Sequence, residues 1–300
     1  MVIYTYNSFT NEQIDKLKNS ILGANYTYVV ISGFLAFSGY ILRAYRWKYT
    51  LEYVGYKSNF KLNLIAVSIG YFLNLTIPRS GEISRAALLT KYDGVPFDKG
   101  FGTIISERIV DFIVLLFFIL TAVVLEFDTL KTFLLEYIPL KKLIILMILG
   151  LLSTFIGIYL MIYSKMKWVV WIKNKISGLT DGALSVFKMP NKWPFIFLTL
   201  LIWLTYVLMF YSIIFALEET QIISFGAVLV AFVIGSLTIA FTNGGFGFFP
   251  VLIAKILFLY NIPIEAGNAF GWIVWTSQLI ITILLGGIAF LILPSLTKKK

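Results

Sequence analysis

Two short stretches of this chain put ionisable side chains at helical spacing inside apolar sequence. In GYFLNLTIPRSGEISRAALLTK, residues 70–91, Pro78 and Gly81 cut an apolar helix just after Asn74, and Arg79, Glu82 and Arg85 follow at i, i+3 and i+6. In GTIISERIVDFIVLL, residues 102–116, Glu107 and Asp111 lie four apart and share a face, while Arg108 and Asp111 lie three apart and can pair. Three arginines with three carboxylates suit a zwitterionic or anionic headgroup. Guanidinium forks hold phosphate bidentately, and carboxylates hold an amine, orient the arginines or carry a proton. Carboxylates set among guanidiniums favour orientation over proton carriage. A helix start near Ser80 or Gly81 adds backbone N–H donors for a phosphate. A third stretch, Thr242-Asn243-Gly244-Gly245-Phe246-Gly247, forms a flexible turn that brings backbone and a side-chain amide close to a ligand. The candidate substrate-binding set is therefore Asn74, Arg79, Glu82, Arg85, Glu107, Arg108, Asp111, Asn243, Gly244 and Gly245.

Composition decides where these residues must work. Of 300 residues, 59% are hydrophobic and only 13% charged, and the mean hydropathy is +0.88; a water-soluble domain of this length does not have that balance. Apolar runs fall at 26–42, 62–77, 101–125, 143–163, 195–217, 222–241, 246–260 and 269–293, most of them long enough for a hydrocarbon core about 30 Å thick. Barrel strands would alternate in polarity instead. The chain has no Cys and no His, which excludes disulfides, thiolate or imidazole metal sites and His-assisted nucleophiles. No Walker loop, zinc helix, nucleophile elbow or Asp-x-Asp pair is present, so neither catalytic residue, metal nor cofactor is expected. The net charge of +10 sits in short segments between apolar runs, where it orients helices and meets anionic lipid, so nucleic acid is not an expected partner.

Basic residues also set the topology. Residues 43–61 hold five Lys and Arg, 79–99 four, 165–192 six, and the tail ends in Lys298, Lys299 and Lys300; by the positive-inside rule all four segments face the cytoplasm. The joins 126–142, 218–221 and 261–265 are acidic or balanced and face outside. Run 62–77 then has both flanks inside, and run 222–260 begins and ends outside. Each is expected to enter, break and return. Interrupted segments in opposite halves with opposite orientation mark an inverted-repeat transporter with its substrate near the midplane. The expected fold is an all-α polytopic membrane protein with about five or six full transmembrane helices plus two broken or re-entrant helical elements in an inverted repeat.

Residues 1–300 form one transmembrane domain on this reading. A first half spans 26–163 with its broken element at 62–92, and a second half spans 194–293 with its broken element at 222–260. Between them, 164–193 combines Trp168, Trp171 and Ile172 with Lys167, Lys173 and Lys175, as expected of a helix lying in the cytoplasmic headgroup layer. A basic tail, 294–300, closes the chain. The alternative for the two broken elements is a pair of complete helical hairpins, with 222–241 long enough to span, and the alternative for Glu107, Arg108 and Asp111 is a structural salt-bridge cluster near the cytoplasmic end.

Arg43-Ala44-Tyr45-Arg46-Trp47, the run from Asn74 through Pro78-Arg79-Ser80-Gly81-Glu82 to Arg85, Glu107-Arg108-Ile109-Val110-Asp111, and the Gly244-Gly245-Phe246-Gly247 turn together resemble the lysylphosphatidylglycerol synthase transmembrane-region family, the membrane half of the bacterial multiple peptide resistance factor. The resemblance implies a multi-pass bacterial inner-membrane protein with a cytoplasmic C-terminus, of the lipid-flippase type, moving aminoacylated or other phospholipids between leaflets. It also implies that the soluble synthase half is absent and, from MVIYTYNSFTNEQ, that a further helix precedes Met1 in relatives. Phe249 and Pro250 stand where relatives often carry Glu, so no role transfers to that position. The expected partner is a membrane phospholipid, anionic or zwitterionic, and homo-oligomerisation stays open. The rival reading from another class is a membrane-embedded enzyme, or its accessory subunit, acting on a polyprenyl-phosphate or lipid headgroup.

Overall fold

The computed structural model describes residues 9–57, 59–137 and 188–295, with scattered positions between 149 and 186. The described residues form helices and no strand: α1 (Asn11–Gly23), α2 (Tyr26–Tyr53), α3 (Phe60–Asn74), α4 (Ser80–Asp93), α5 (Phe97–Leu125), α6 (Phe127–Tyr137), α7 (Lys192–Ile214), a 3-10 turn at Glu218–Thr220, α8 (Phe225–Phe241), α9 (Phe249–Phe258) and α10 (Ile264–Ile292). Four of them, α2, α5, α7 and α10, are long and apolar enough to cross a membrane, while α3, α8 and α9 are apolar but shorter. The apolar run 143–163 and the segment 164–193 lie largely outside the described residues, as do 296–300 of the tail.

Both broken elements form helix–turn–helix hairpins, and the sequence of each turn explains why. At α3–α4, Pro78 offers no N–H to continue the helix, and the Asn74 carboxamide oxygen accepts from Gly81 N–H at 2.7 Å, so the last residue of one helix caps the first turn of the next. Ile77 and Ser80 N–H groups close onto the Leu73 and Ile77 carbonyls. Arg79 adopts left-handed φ of 62°, an unusual conformation for a residue with a Cβ. A Cβ at Gly81 would overlap the Gly70 carbonyl, so the two arms approach as closely as backbones can. At α8–α9, the Thr242 hydroxyl accepts from Gly245 N–H at 3.0 Å, Gly245 takes φ of 79°, and Pro250 occupies the first turn of α9, where its missing N–H costs nothing.

Helix α10 fixes how the hairpins stand. Near its start, Gly267 faces the Ala254 backbone and Gly271 that of Pro250, both on α9. Near its end, Gly286 faces Phe72, Phe290 meets Phe72 edge to face at 5.6 Å, and Ala289 packs with Ile65 and Ile69, all on α3. Between these zones, Trp275 Nε1 donates to the Gly244 carbonyl at 2.9 Å. The hairpins thus come in from opposite ends of α10. Their turns touch, Asn243 Nδ2 donating to the Leu75 carbonyl at 3.1 Å.

The polar stretch 9–25 folds into α1, an element not foreseen from the sequence. Its signal was present, since Thr10 and Gln13 form a reciprocal capping box, and Leu17 and Ile21 lean on the apolar core.

Candidate functional site

Asp111 is the central residue of α5, about 21 Å along the helix from its start at 1.5 Å per residue, and it is buried. Its carboxylate accepts from two guanidiniums of α2: Arg43 Nη2 at 2.9 Å, and Arg46 Nη1 and Nη2 at 2.7 and 3.2 Å. One turn nearer the start of α5, Glu107 faces Arg85 of α4 at 3.1 Å and Arg46 Nε at 3.8 Å. Arg46 is wholly inaccessible, 0% exposed, and also donates to Thr199 of α7 at 2.9 Å. Three guanidiniums and two carboxylates therefore join α2, α4, α5 and α7 inside the bundle.

Aromatic rings complete the walls. The Arg85 guanidinium lies 4.0 Å from the centroid of the Trp47 ring, whose Nε1 is fixed by Thr103 Oγ1 at 2.9 Å. Arg43 sits between Tyr71 and Tyr206, at 5.9 and 5.7 Å from their ring centroids, and donates from Nε to the Tyr206 hydroxyl at 2.6 Å. A guanidinium over an aromatic face retains favourable electrostatics away from water. Each buried charge costs about 3 kcal/mol or more on insertion scales, which pairing and ring contacts must offset.

The sequence-derived residues divide into three groups. Glu107, Asp111 and Arg85 enter the buried network. Glu82 and Arg108 pair with each other at 2.7 Å on a more open flank, with side chains 19% and 38% exposed. Arg79 is exposed beside the turn, in no ion pair among the described residues. Asn74 caps α4, while Asn243 and Gly244 join the turns and Gly245 shapes the second of them. The expected pairing of Arg108 with Asp111 is corrected: Arg108 turns to Glu82 and Asp111 to α2, because positions 108 and 111 face different neighbours on α5.

The placing of Arg43 and Arg46 in a short segment between apolar runs is corrected too. Helix α2 runs on to Tyr53, and both arginines lie on its buried face. The apolar run ends at Leu42, just before the first of these guanidiniums, while the helix itself continues to Tyr53. Their spacing of three, one turn after Tyr40 and beside Trp47, was the available signal of an inward-facing pair.

Comparison with known proteins agrees with the membrane character of the chain. Residues 1–286 match the family model described as the lysylphosphatidylglycerol synthase TM region. A UPF0104 membrane protein of Methanocaldococcus jannaschii is 28% identical over 96% of this chain and 91% of its own length. No solved structure matches the chain. On the family match over residues 1–286, this chain belongs to the lysylphosphatidylglycerol synthase transmembrane-region family.

Proposed function

We propose that the protein is a flippase-type lipid transporter of the plasma membrane, moving a phospholipid headgroup between leaflets past the meeting point of two re-entrant hairpins. The observation that carries this reading is the contact between the hairpin turns, Asn243 to Leu75 at 3.1 Å, with the hairpins packed against opposite ends of α10. Complete spanning hairpins of opposite orientation would put their turns about 30 Å apart, on opposite faces. Turns that meet stop near mid-depth, in the inverted-repeat manner, and leave a path from each side.

A headgroup arriving there meets cations first. Arg79 stands by the first turn, with Arg108 and Arg85 beyond it on α5 and α4. Glu82 and Glu107 hold the latter two in place, so the carboxylates serve as orienting groups for phosphate-binding forks. Ile77, Phe241 and Phe246 are 64, 82 and 71% exposed around the turns. That apolar rim suits acyl chains that stay in the bilayer while the headgroup crosses.

Reconstitution separates transport from chemistry. Purified protein in liposomes with a labelled phospholipid is expected to equilibrate the label between leaflets while leaving it covalently unchanged. A covalently altered lipid formed in detergent, without leaflet exchange, would instead support the membrane-enzyme reading.

A further inference from the structure

We infer that Arg43 Nη1, with the hydroxyls of Tyr71 and Tyr206, forms a seat for one singly charged phosphodiester oxygen group, a site separate from the arginines at the hairpin turn. The inference rests on the lipid-transport reading only for the source of that phosphodiester. Its geometry stands independently.

Four features point to an anion here. Arg43 is 5% exposed, yet its Nη1 has no hydrogen-bond partner among the described residues, although Nη2 and Nε are committed to Asp111 and Tyr206. A buried guanidinium N–H left unpaired is costly unless a ligand or water takes it. The Tyr206 oxygen already accepts from Arg43 Nε, so its own proton is directed elsewhere, and its separation from the Tyr71 oxygen is 3.5 Å. That contact is long for an O–H···O bond and uses at most one of the two phenol protons, so at least one is available to an oxyanion beside them. Finally, the buried network holds three guanidiniums, Arg43, Arg46 and Arg85, against two carboxylates, Glu107 and Asp111. The Glu82–Arg108 pair balances itself. One positive charge remains to be matched, and a phosphodiester brings one negative charge where a phosphomonoester brings up to two.

Position fits a translocating headgroup. Tyr71 lies one turn before Asn74 at the end of α3, and Tyr206 and Arg43 face it from α7 and α2. Tyr71 and Tyr206 are both partly accessible, whereas Arg46 behind them is sealed. A phosphodiester would therefore pass from the turn to this seat within one helical turn.

The test uses full-length protein, with dioctanoyl phosphatidylglycerol, dioctanoylglycerol and inorganic phosphate as probes in titration calorimetry. Phosphatidylglycerol is expected to bind, and Tyr71→Phe, Tyr206→Phe and Arg43→Lys are each expected to weaken it about tenfold or more. Dioctanoylglycerol, with the same chains and no phosphate, is expected not to bind. Inorganic phosphate binding as tightly as the lipid would overturn the lipid source and leave a free-anion site. Phe variants that keep their melting temperature and bind phosphatidylglycerol like the wild type would overturn the seat itself. The two readings fail separately: leaflet exchange without phosphodiester binding at these residues refutes the seat alone, and binding at these residues without exchange refutes transport alone.

Discussion

Asp111→Asn is expected to destabilise the protein more than any other single change in the network, by about 3–5 kcal/mol, because it leaves two buried guanidiniums without their carboxylate. Arg43 and Arg46 both depend on Asp111, at 2.9 and 2.7 Å, and Arg46 is left with only a 3.8 Å contact to Glu107 as an ion pair. Thermal unfolding in detergent measures this as a large fall in melting temperature or loss of monodisperse protein. Pairing the change with Arg46→Met, which removes one stranded charge and keeps an apolar stem, is expected to recover part of the loss. A buried ion group is worth little over an apolar replacement, yet half of one is strongly destabilising. Equal stability of Asp111→Asn and wild type would mean that Asp111 is hydrated and the network is not closed.

Arg79→Gln and Arg108→Gln are expected to act in the opposite sense, cutting leaflet exchange at least about 100-fold, equivalent to roughly 2.7 kcal/mol of lost headgroup stabilisation. Their effect on melting temperature should be small. Arg79 is exposed and in no ion pair among the described residues, and the Arg108 side chain is 38% exposed, a setting in which an ion pair contributes about 0–1 kcal/mol. Flux in liposomes of matched protein content, with melting temperature as the control, checks this. Unchanged flux in both variants would remove these arginines from the transport path.

Helical membrane character and the two interruptions were legible because they depend on local sequence. Pro78, Gly81 and the Thr242–Gly247 turn break an otherwise apolar pattern, and the structure has helix breaks at both. The shared face of Glu107 and Asp111 follows from helical spacing alone, and both are buried. Partners were harder to read, because pairing across helices depends on which faces meet. Arg108 had an acceptor three residues away in its own helix and instead bonds Glu82 of α4. Arg43 and Arg46 looked like loop charges because hydropathy cannot distinguish a solvated arginine from one neutralised by a carboxylate 65 or more residues away. Tyr71 and Tyr206 gave no signal, being aromatic residues in apolar helices until α2, α3 and α7 bring them to Arg43.

The most direct measurement is the depth of the two hairpin turns in a bilayer. Because the chain has no cysteine, single nitroxide labels can be placed at Thr76→Cys and Thr242→Cys and their accessibility to oxygen and to a water-soluble relaxant compared. Both labels are expected near the bilayer centre, as turns that touch across the Asn243–Leu75 bond require. Labels reporting opposite aqueous surfaces, about 30 Å apart, would mean that the hairpins span the membrane and never meet, and the proposed midplane path would be contradicted.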